Sequence, residues 1–261
     1  MANYHFFLDY FIHRFTAKTR HGIHSPFVYQ LVDEVIYRYT PILDEQQIES
    51  KRSALKKDSR MITVTDYGAG SMLHHGKAKK VKTIAKNALK PQRVAKLLAR
   101  LANRFSPQMI IELGTCLGIT TAYLASATPS AHLISIEGCP QTAAIAQQNL
   151  QDLSIKNVTV KVGNFDELLP QILQEIPRVD FLFIDGNHRK EATLRYFNWC
   201  LPKVHPQTVL IFDDIYWSKG MKEAWTIIKA HPQVSLTIDL FYIGVVFFKQ
   251  DQAKEHFKIR F

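Results

Sequence analysis

Residues 109–138 read MIIELGTCLGITTAYLASATPSAHLISIEG. MIIEL is an apolar run of strand length. GTCLG is a glycine turn, and ITTAYLA continues from it as a helix. HLISIEG is a second apolar run of strand length. Strand, tight turn, helix and strand make a βαβ unit, whose two strands lie parallel. The alternation then repeats. Pro140 to Leu153 reads as a helix, VTVKVG as a third strand and FDELLPQIL as the next helix. VDFLFIDG is a fourth strand, with a helix from about Arg189. TVLIFDD is a fifth, with a helix over MKEAWTIIKA. VSLTIDL and GVVFFK follow with only a short turn between them, which marks an antiparallel hairpin. The expected fold is α/β: a doubly wound, mostly parallel sheet of seven strands with an antiparallel C-terminal hairpin.

Upstream the pattern differs. A basic, mainly helical extension over residues 1–107 is expected ahead of a 108–261 domain. Phe7, Phe11 and Phe15 fall on one helical stripe, either packed on the body of the protein or lying on a membrane surface. Ser25-Pro26 suits a helix start, with Ser25 as cap and Pro26 in the first helical position. Residues 43–60 read as another helix. MITVTDYGAGS (61–71) is a short extended run into a glycine turn, and Lys77 to Phe105 reads as one or two basic amphipathic helices broken at Pro91.

Composition bounds the function. The chain has 261 residues, 46% of them hydrophobic, so a full core is available. Its longest apolar run, Leu240 to Phe248, is far short of the roughly 20 residues of a membrane span, and no transmembrane segment is expected. MANYHFFLDYFIHRF lacks a basic start and a small-residue cleavage site, so the cytoplasm is the expected compartment. Three cysteines, Cys116, Cys139 and Cys200, have no metal-type spacing and suggest neither a disulfide framework nor a zinc site. The net charge is +10 and uneven: residues 1–107 hold 19 Lys and Arg against 8 Asp and Glu, the remainder 14 against 15. The basic stripe from Lys77 to Arg104 either attracts phosphates or an anionic surface, or is a solvated helix face.

Parallel doubly wound sheets bind ligands at the carboxyl ends of their strands. The first such turn runs from Glu112 to Thr120. Gly114 allows a tight turn, and Gly118 allows the helix start to approach a ligand. The turn is not GxGxxG, which weakens a dinucleotide-dependent dehydrogenase reading. Strand two ends in Glu137-Gly138, and a carboxylate there is placed to accept both hydroxyls of a ribose. After strand three, Asn164 could bond an adenine edge; Phe165 either packs on its face or belongs to the core. Strand four ends in Asp185-Gly186-Asn187-His188 and strand five in Asp213-Asp214. Three acids there would repel one another when ionised. Either they hold a hard divalent cation, for which Mg²⁺ fits best, or they divide among backbone, solvent and cofactor.

Together these strand ends resemble the class I S-adenosylmethionine-dependent methyltransferases, and within them the metal-dependent O-methyltransferases of the catechol O-methyltransferase type. ELGTCLGIT matches that family's ExGxxxGxS/T motif, and Glu137 stands at its strand-two acid. Asp185 precedes Asp213 and Asp214 by a spacing similar to that between the family's metal ligands. The resemblance covers about residues 105–250. It implies a Rossmann-like sheet, with Glu112, Gly114, Gly118 and Thr120 around the methionine moiety of the cofactor. It implies Glu137 and Gly138 at the ribose, Asn164 and Phe165 at the adenine, and Mg²⁺ on Asp185, Asp213 and Asp214. Asp185 also borders the cofactor. Where the catechol enzyme carries a lysine base, this chain has His188, an imidazole that titrates near neutrality and can act as base; alternatively His188 caps the next helix. The family's glycine-containing closing segment has a counterpart in Asp66 to Ser71.

The expected function is methylation of a hydroxyl on a small molecule, with His188 or Asp185 taking the proton. Two alternatives stand beside it: methylation of a tRNA or RNA hydroxyl through the basic N-terminal region, and a cofactor-binding interaction module without catalysis. A homodimer is compatible with the sequence.

Overall fold

The computed structural model describes residues 4–65, 77–250 and 252–261. Asp66 to Ser71, the expected closing segment, lies outside them. The chain divides into two units: residues 1–39 with 175–261, and residues 40–174.

Three helices open the chain. These are α1 (Tyr4–Thr16), α2 (Pro26–Leu31), which widens into a π turn over Val32–Tyr37, and α3 (Glu45–Leu55). Two short antiparallel strands follow, β1 (Met61–Val64) and β2 (Lys77–Lys80), then α4 (Val81–Asn87) and α5 (Gln92–Phe105). The break at Pro91 falls where the sequence puts it. Lys77 to Lys80, expected as helix, is instead a fully exposed strand held by its ladder to β1. In α5, Val94, Leu97, Leu98 and Leu101 recur at helical spacing and are buried. Part of the basic stripe is paired: Lys96 Nζ lies 2.5 Å from Glu45 Oε1.

From Met109 the expected alternation appears. It runs β3 (Met109–Leu113), α6 (Ile119–Ala127), β4 (His132–Glu137), α7 (Pro140–Asp152), β5 (Val158–Val162), α8 (Phe165–Glu175), β6 (Phe181–Ile184) and α9 (Lys190–Cys200). It ends with β7 (Val209–Asp213), α10 (Lys219–Ala230), β8 (Leu236–Asp239), β9 (Ile243–Phe247) and β10 (Glu255–Lys258). Eight strands belong to the main, mostly parallel sheet. In the 40–174 unit they run β3-β4-β5, all parallel. In the other unit they run β10-β8-β9-β7-β6, with β9 antiparallel to both neighbours and β10 parallel to β8. The structure adds β10 to the seven strands expected. Its sequence, EHFK, buries one residue in four and shows no apolar run.

Buried strands read as continuous apolar runs because both faces are covered. All four residues of β6 and all five of β7 are buried. Helix starts follow the expected chemistry in part. Pro140 opens α7, and Ser218 Oγ accepts the Met221 N–H at 3.1 Å to cap α10. Ser25 makes no such capping bond at α2.

Candidate functional site

Candidate chemistry lies at strand ends in each unit. In the 40–174 unit, the turn after β3 bends through three left-handed residues: Gly114 (φ 108°), Cys116 (φ 50°) and Gly118 (φ 79°). Glycine tolerates this region; Cys116 does not, and such strain persists only where surroundings enforce it. The enforcing group is Glu137, at the end of β4. Its Oε2 accepts the Cys116 N–H at 2.8 Å and its Oε1 the Cys139 N–H at 2.9 Å. A carboxylate offers about four acceptor directions, and these two donors take two of them. The ribose residue expected from the sequence is thus also the brace of the glycine turn. Gly138 beside it is half-buried.

Other residues of this group have structural partners of their own. Glu112 is fully buried, and its Oε2 accepts from Thr121 Oγ1 and Ser135 Oγ, each at 2.6 Å. It ties β3, β4 and α6 together beneath the turn. Thr120, in the first turn of α6, is buried. Gly118 faces a helix: a Cβ there would lie 3.2 Å from Ala146 Cβ on α7. Its bareness permits α6 and α7 to close up. Asn164 Oδ1 accepts the Asp166 N–H at 3.0 Å and caps α8, while Phe165 beside it is half-buried.

In the other unit, the ends of the paired strands β6 and β7 bring acids and an imidazole together. Ligand atoms of Asp185, His188 and Asp213 lie within 4.8 Å of one another. His188 Nε2 is 3.8 Å from Asp185 Oδ1 and 3.8 Å from Asp214 Oδ2. Of the three acids expected, Asp185 and Asp213 fall in this group together with His188, and Asp214 approaches it at His188. Asp213 is buried as the last residue of β7, and Asp214 turns left-handed at φ 55°. Asn187 does the same at φ 51°; its Nδ2 donates to the Tyr196 hydroxyl at 3.0 Å, and its buried Oδ1 has no donor among the described residues. Carboxylates and an imidazole in one cluster are donors that fit a divalent cation.

A third group escaped the sequence reading. Asp239, buried at the end of β8, accepts from four donors: His13 Nε2 (3.0 Å), Tyr216 Oη (2.8 Å), Trp225 Nε1 (3.2 Å) and the Phe241 N–H (3.0 Å). Burial alone would raise its carboxyl, but the bonds from His13, Phe241 and Tyr216 hold it below the usual carboxylate range. Burial and this carboxylate push the Tyr216 hydroxyl up. Tyr216 follows Asp214 by two residues, and the Asp214 N–H bonds Tyr242 O at 2.7 Å. The hub thus secures the turn that carries Asp214. An acid inside the apolar run VSLTIDL was the available signal.

Residues 111–215 match the methyltransferase domain family. The match takes in both groups of strand-end residues, from Glu112 through Asp214. Over 123 residues the chain is 33% identical to a catechol O-methyltransferase of Niastella koreensis, covering 46% of this chain and 55% of that protein. Over 123 residues it is 37% identical to the release factor glutamine methyltransferase of Escherichia coli, covering 46% of this chain and 41% of that one. The chain thus spans about half the length of these curated relatives. Among solved structures, the O-methyltransferase from Bacillus cereus in complex with SAH aligns with a TM-score of 0.56 at 22% identity, over 85% of this chain and 97% of that one. That likeness is one of fold: the Rossmann-like methyltransferase fold.

Proposed function

We propose that the chain is an S-adenosylmethionine-dependent O-methyltransferase acting on a hydroxyl of a small molecule, with Mg²⁺ as its metal. The observation that carries this reading is the gathering of Asp185, His188 and Asp213 within 4.8 Å, in a chain that matches a methyltransferase domain. Catalysis is assigned to residues 108–261, with 1–107 as an accessory region.

We assign the turn from Gly114 to Gly118 and Thr120 to the methionine end of the cofactor. Glu137 accepts the ribose hydroxyls beside its two backbone donors. Asn164 and Phe165 take the adenine. Asp185, Asp213 and Asp214 hold the cation, with His188 at hand as a further ligand or as the base. When bound, the cation would polarise the acceptor hydroxyl and lower its pKa. The acceptor oxygen attacks the sulfonium methyl in line, the C–S bond breaks, and the hydroxyl proton passes to His188 Nε2 or the Asp185 carboxylate. Holding the two reactants in register supplies much of the acceleration. Unbridged Cys116, Cys139 and Cys200 suit a reducing compartment, and the cytoplasm is the one we propose. Among the described residues, no helix is long and apolar enough to cross a membrane.

The test is isothermal titration with S-adenosylhomocysteine, with and without Mg²⁺, followed by turnover of small hydroxyl compounds with and without EDTA. Micromolar binding with chelator-sensitive turnover supports the reading. Turnover that survives EDTA removes the metal, and absence of binding removes the cofactor and favours an interaction module.

A second reading rests on the exposed lysines of β2, Lys77, Lys79 and Lys80, which suit the phosphates of an RNA acceptor. RNA affinity that falls steeply with salt would favour it.

A further inference from the structure

We propose that the outer face of α1, with the basic edge beside it, docks on an anionic phospholipid surface. The sequence stripe Phe7, Phe11 and Phe15 does not pack on the body of the protein. Phe7 is 53% exposed, Phe11 56% and Phe15 82%, and Leu8 and Ile12 between them are exposed as well. Residues at these spacings share one helical face. The helix is held by its other face: the rings of Phe6, Tyr10 and His13 lie 5.1, 5.1 and 5.6 Å from that of Phe241. A docked helix that presents five large apolar side chains outward forms a patch of the kind that marks an interaction site.

The charges beside the stripe indicate what covers it. Arg14 and Lys18 are exposed at the C-terminal end of α1. The Lys18 N–H bonds Lys258 O at 2.8 Å and the Arg260 N–H bonds Lys18 O at 3.0 Å, so the chain after α1 runs along β10. The Arg260 guanidinium donates to Arg14 O at 2.9 Å, which brings Arg14, Lys18 and Arg260 to one end of the stripe. The only acid of α1, Asp9, is bound through both oxygens by Lys222 at 2.7 Å. Along β10 the crowding of cations continues: burial, then Lys229 and Lys254, push the His256 imidazole down. Large apolar side chains next to exposed cations fit lipid tails under anionic headgroups. A second copy of this chain would set like charges against one another. RNA would satisfy the cations and leave the phenylalanines in water.

The experiment is co-sedimentation of the full chain with vesicles of phosphatidylcholine alone and of phosphatidylcholine mixed with phosphatidylglycerol. The expected result is binding to the mixed vesicles only, weakened by salt. The double variant Phe11→Ser, Phe15→Ser loses it. Arg14→Gln with Lys18→Gln lowers the affinity about fivefold per charge removed while leaving the stripe and the fold intact. Circular dichroism and S-adenosylhomocysteine titration of each variant establish that the body is folded. Absence of binding to the mixed vesicles overturns the proposal. So does a wild-type dimer in light scattering that the Phe11, Phe15 variant dissolves, because a second copy then covers the face.

Discussion

Glu137 binds two backbone N–H groups of different segments, so one carboxylate fixes the turn after β3 to the end of β4. Hydrogen bonds to a charged group contribute about 1.5–3 kcal/mol each. Glu137→Gln keeps the shape and removes the charge. It is expected to weaken S-adenosylhomocysteine binding by about tenfold or more, read by isothermal titration; unchanged affinity would take Glu137 out of the cofactor site. Asp185 carries the opposite expectation. Asp185→Ala leaves cofactor binding near its original value and lowers turnover by about a hundredfold or more, which a paired titration and rate measurement separates. These acids were legible in the sequence because each ends an apolar run, where the topology puts ligands. The structural partners of Glu112 and Gly118 were not. Their identity fitted a cofactor motif, but a motif does not say whether a carboxylate points to a ligand or to Thr121 and Ser135, nor that Ala146 crowds a glycine.

At the level of elements, Asp239 joins α1, α10 and the ends of β8 and β7 through His13, Trp225, Phe241 and Tyr216. Its carboxyl is held below its unfolded value, so its contribution to stability is full above about pH 4 and fades as pH falls through the folded pKa. Wild type is therefore expected to lose stability in acid, and Asp239→Asn to lose much of that pH dependence while costing about 3 kcal/mol or more at neutral pH. Urea unfolding at several pH values reads both; parallel pH profiles would refute it. Packing of β9 on α10 is as exacting. A Cβ on Gly244 would lie 2.6 Å from the Trp225 ring, so Gly244→Ala should cost about 1–3 kcal/mol by overpacking, seen as a lower thermal midpoint. Strands buried on both faces announced themselves as apolar runs. β10 and β2 did not, because an edge strand and an exposed hairpin strand are set by ladder partners distant in sequence.

For the molecule as a whole, the alternation of strands and helices from Met109 onward was readable because each element must bury its own apolar surface. The two-unit division was not, since residues 1–39 join residues 175–261 across a long gap in sequence. That division gives the cofactor and metal assignments a global test. The turn from Gly114 to Gly118, Glu137 and Asn164 lie in the 40–174 unit; Asp185, His188, Asp213 and Asp214 lie in the other. A ligand that binds only the folded chain raises its stability by about 2.7 kcal/mol at a hundredfold excess over Kd. For a chain of this size that is roughly 5–10 °C in thermal midpoint. S-adenosylhomocysteine should produce this shift with EDTA present as well as with Mg²⁺, because, Asp185 apart, the groups assigned to it are not the groups assigned to the cation. Asp185→Ala should keep the shift and Glu137→Gln should diminish it. A shift that disappears in EDTA would mean that cation and cofactor share ligands, and the separate assignment of the two groups would fall.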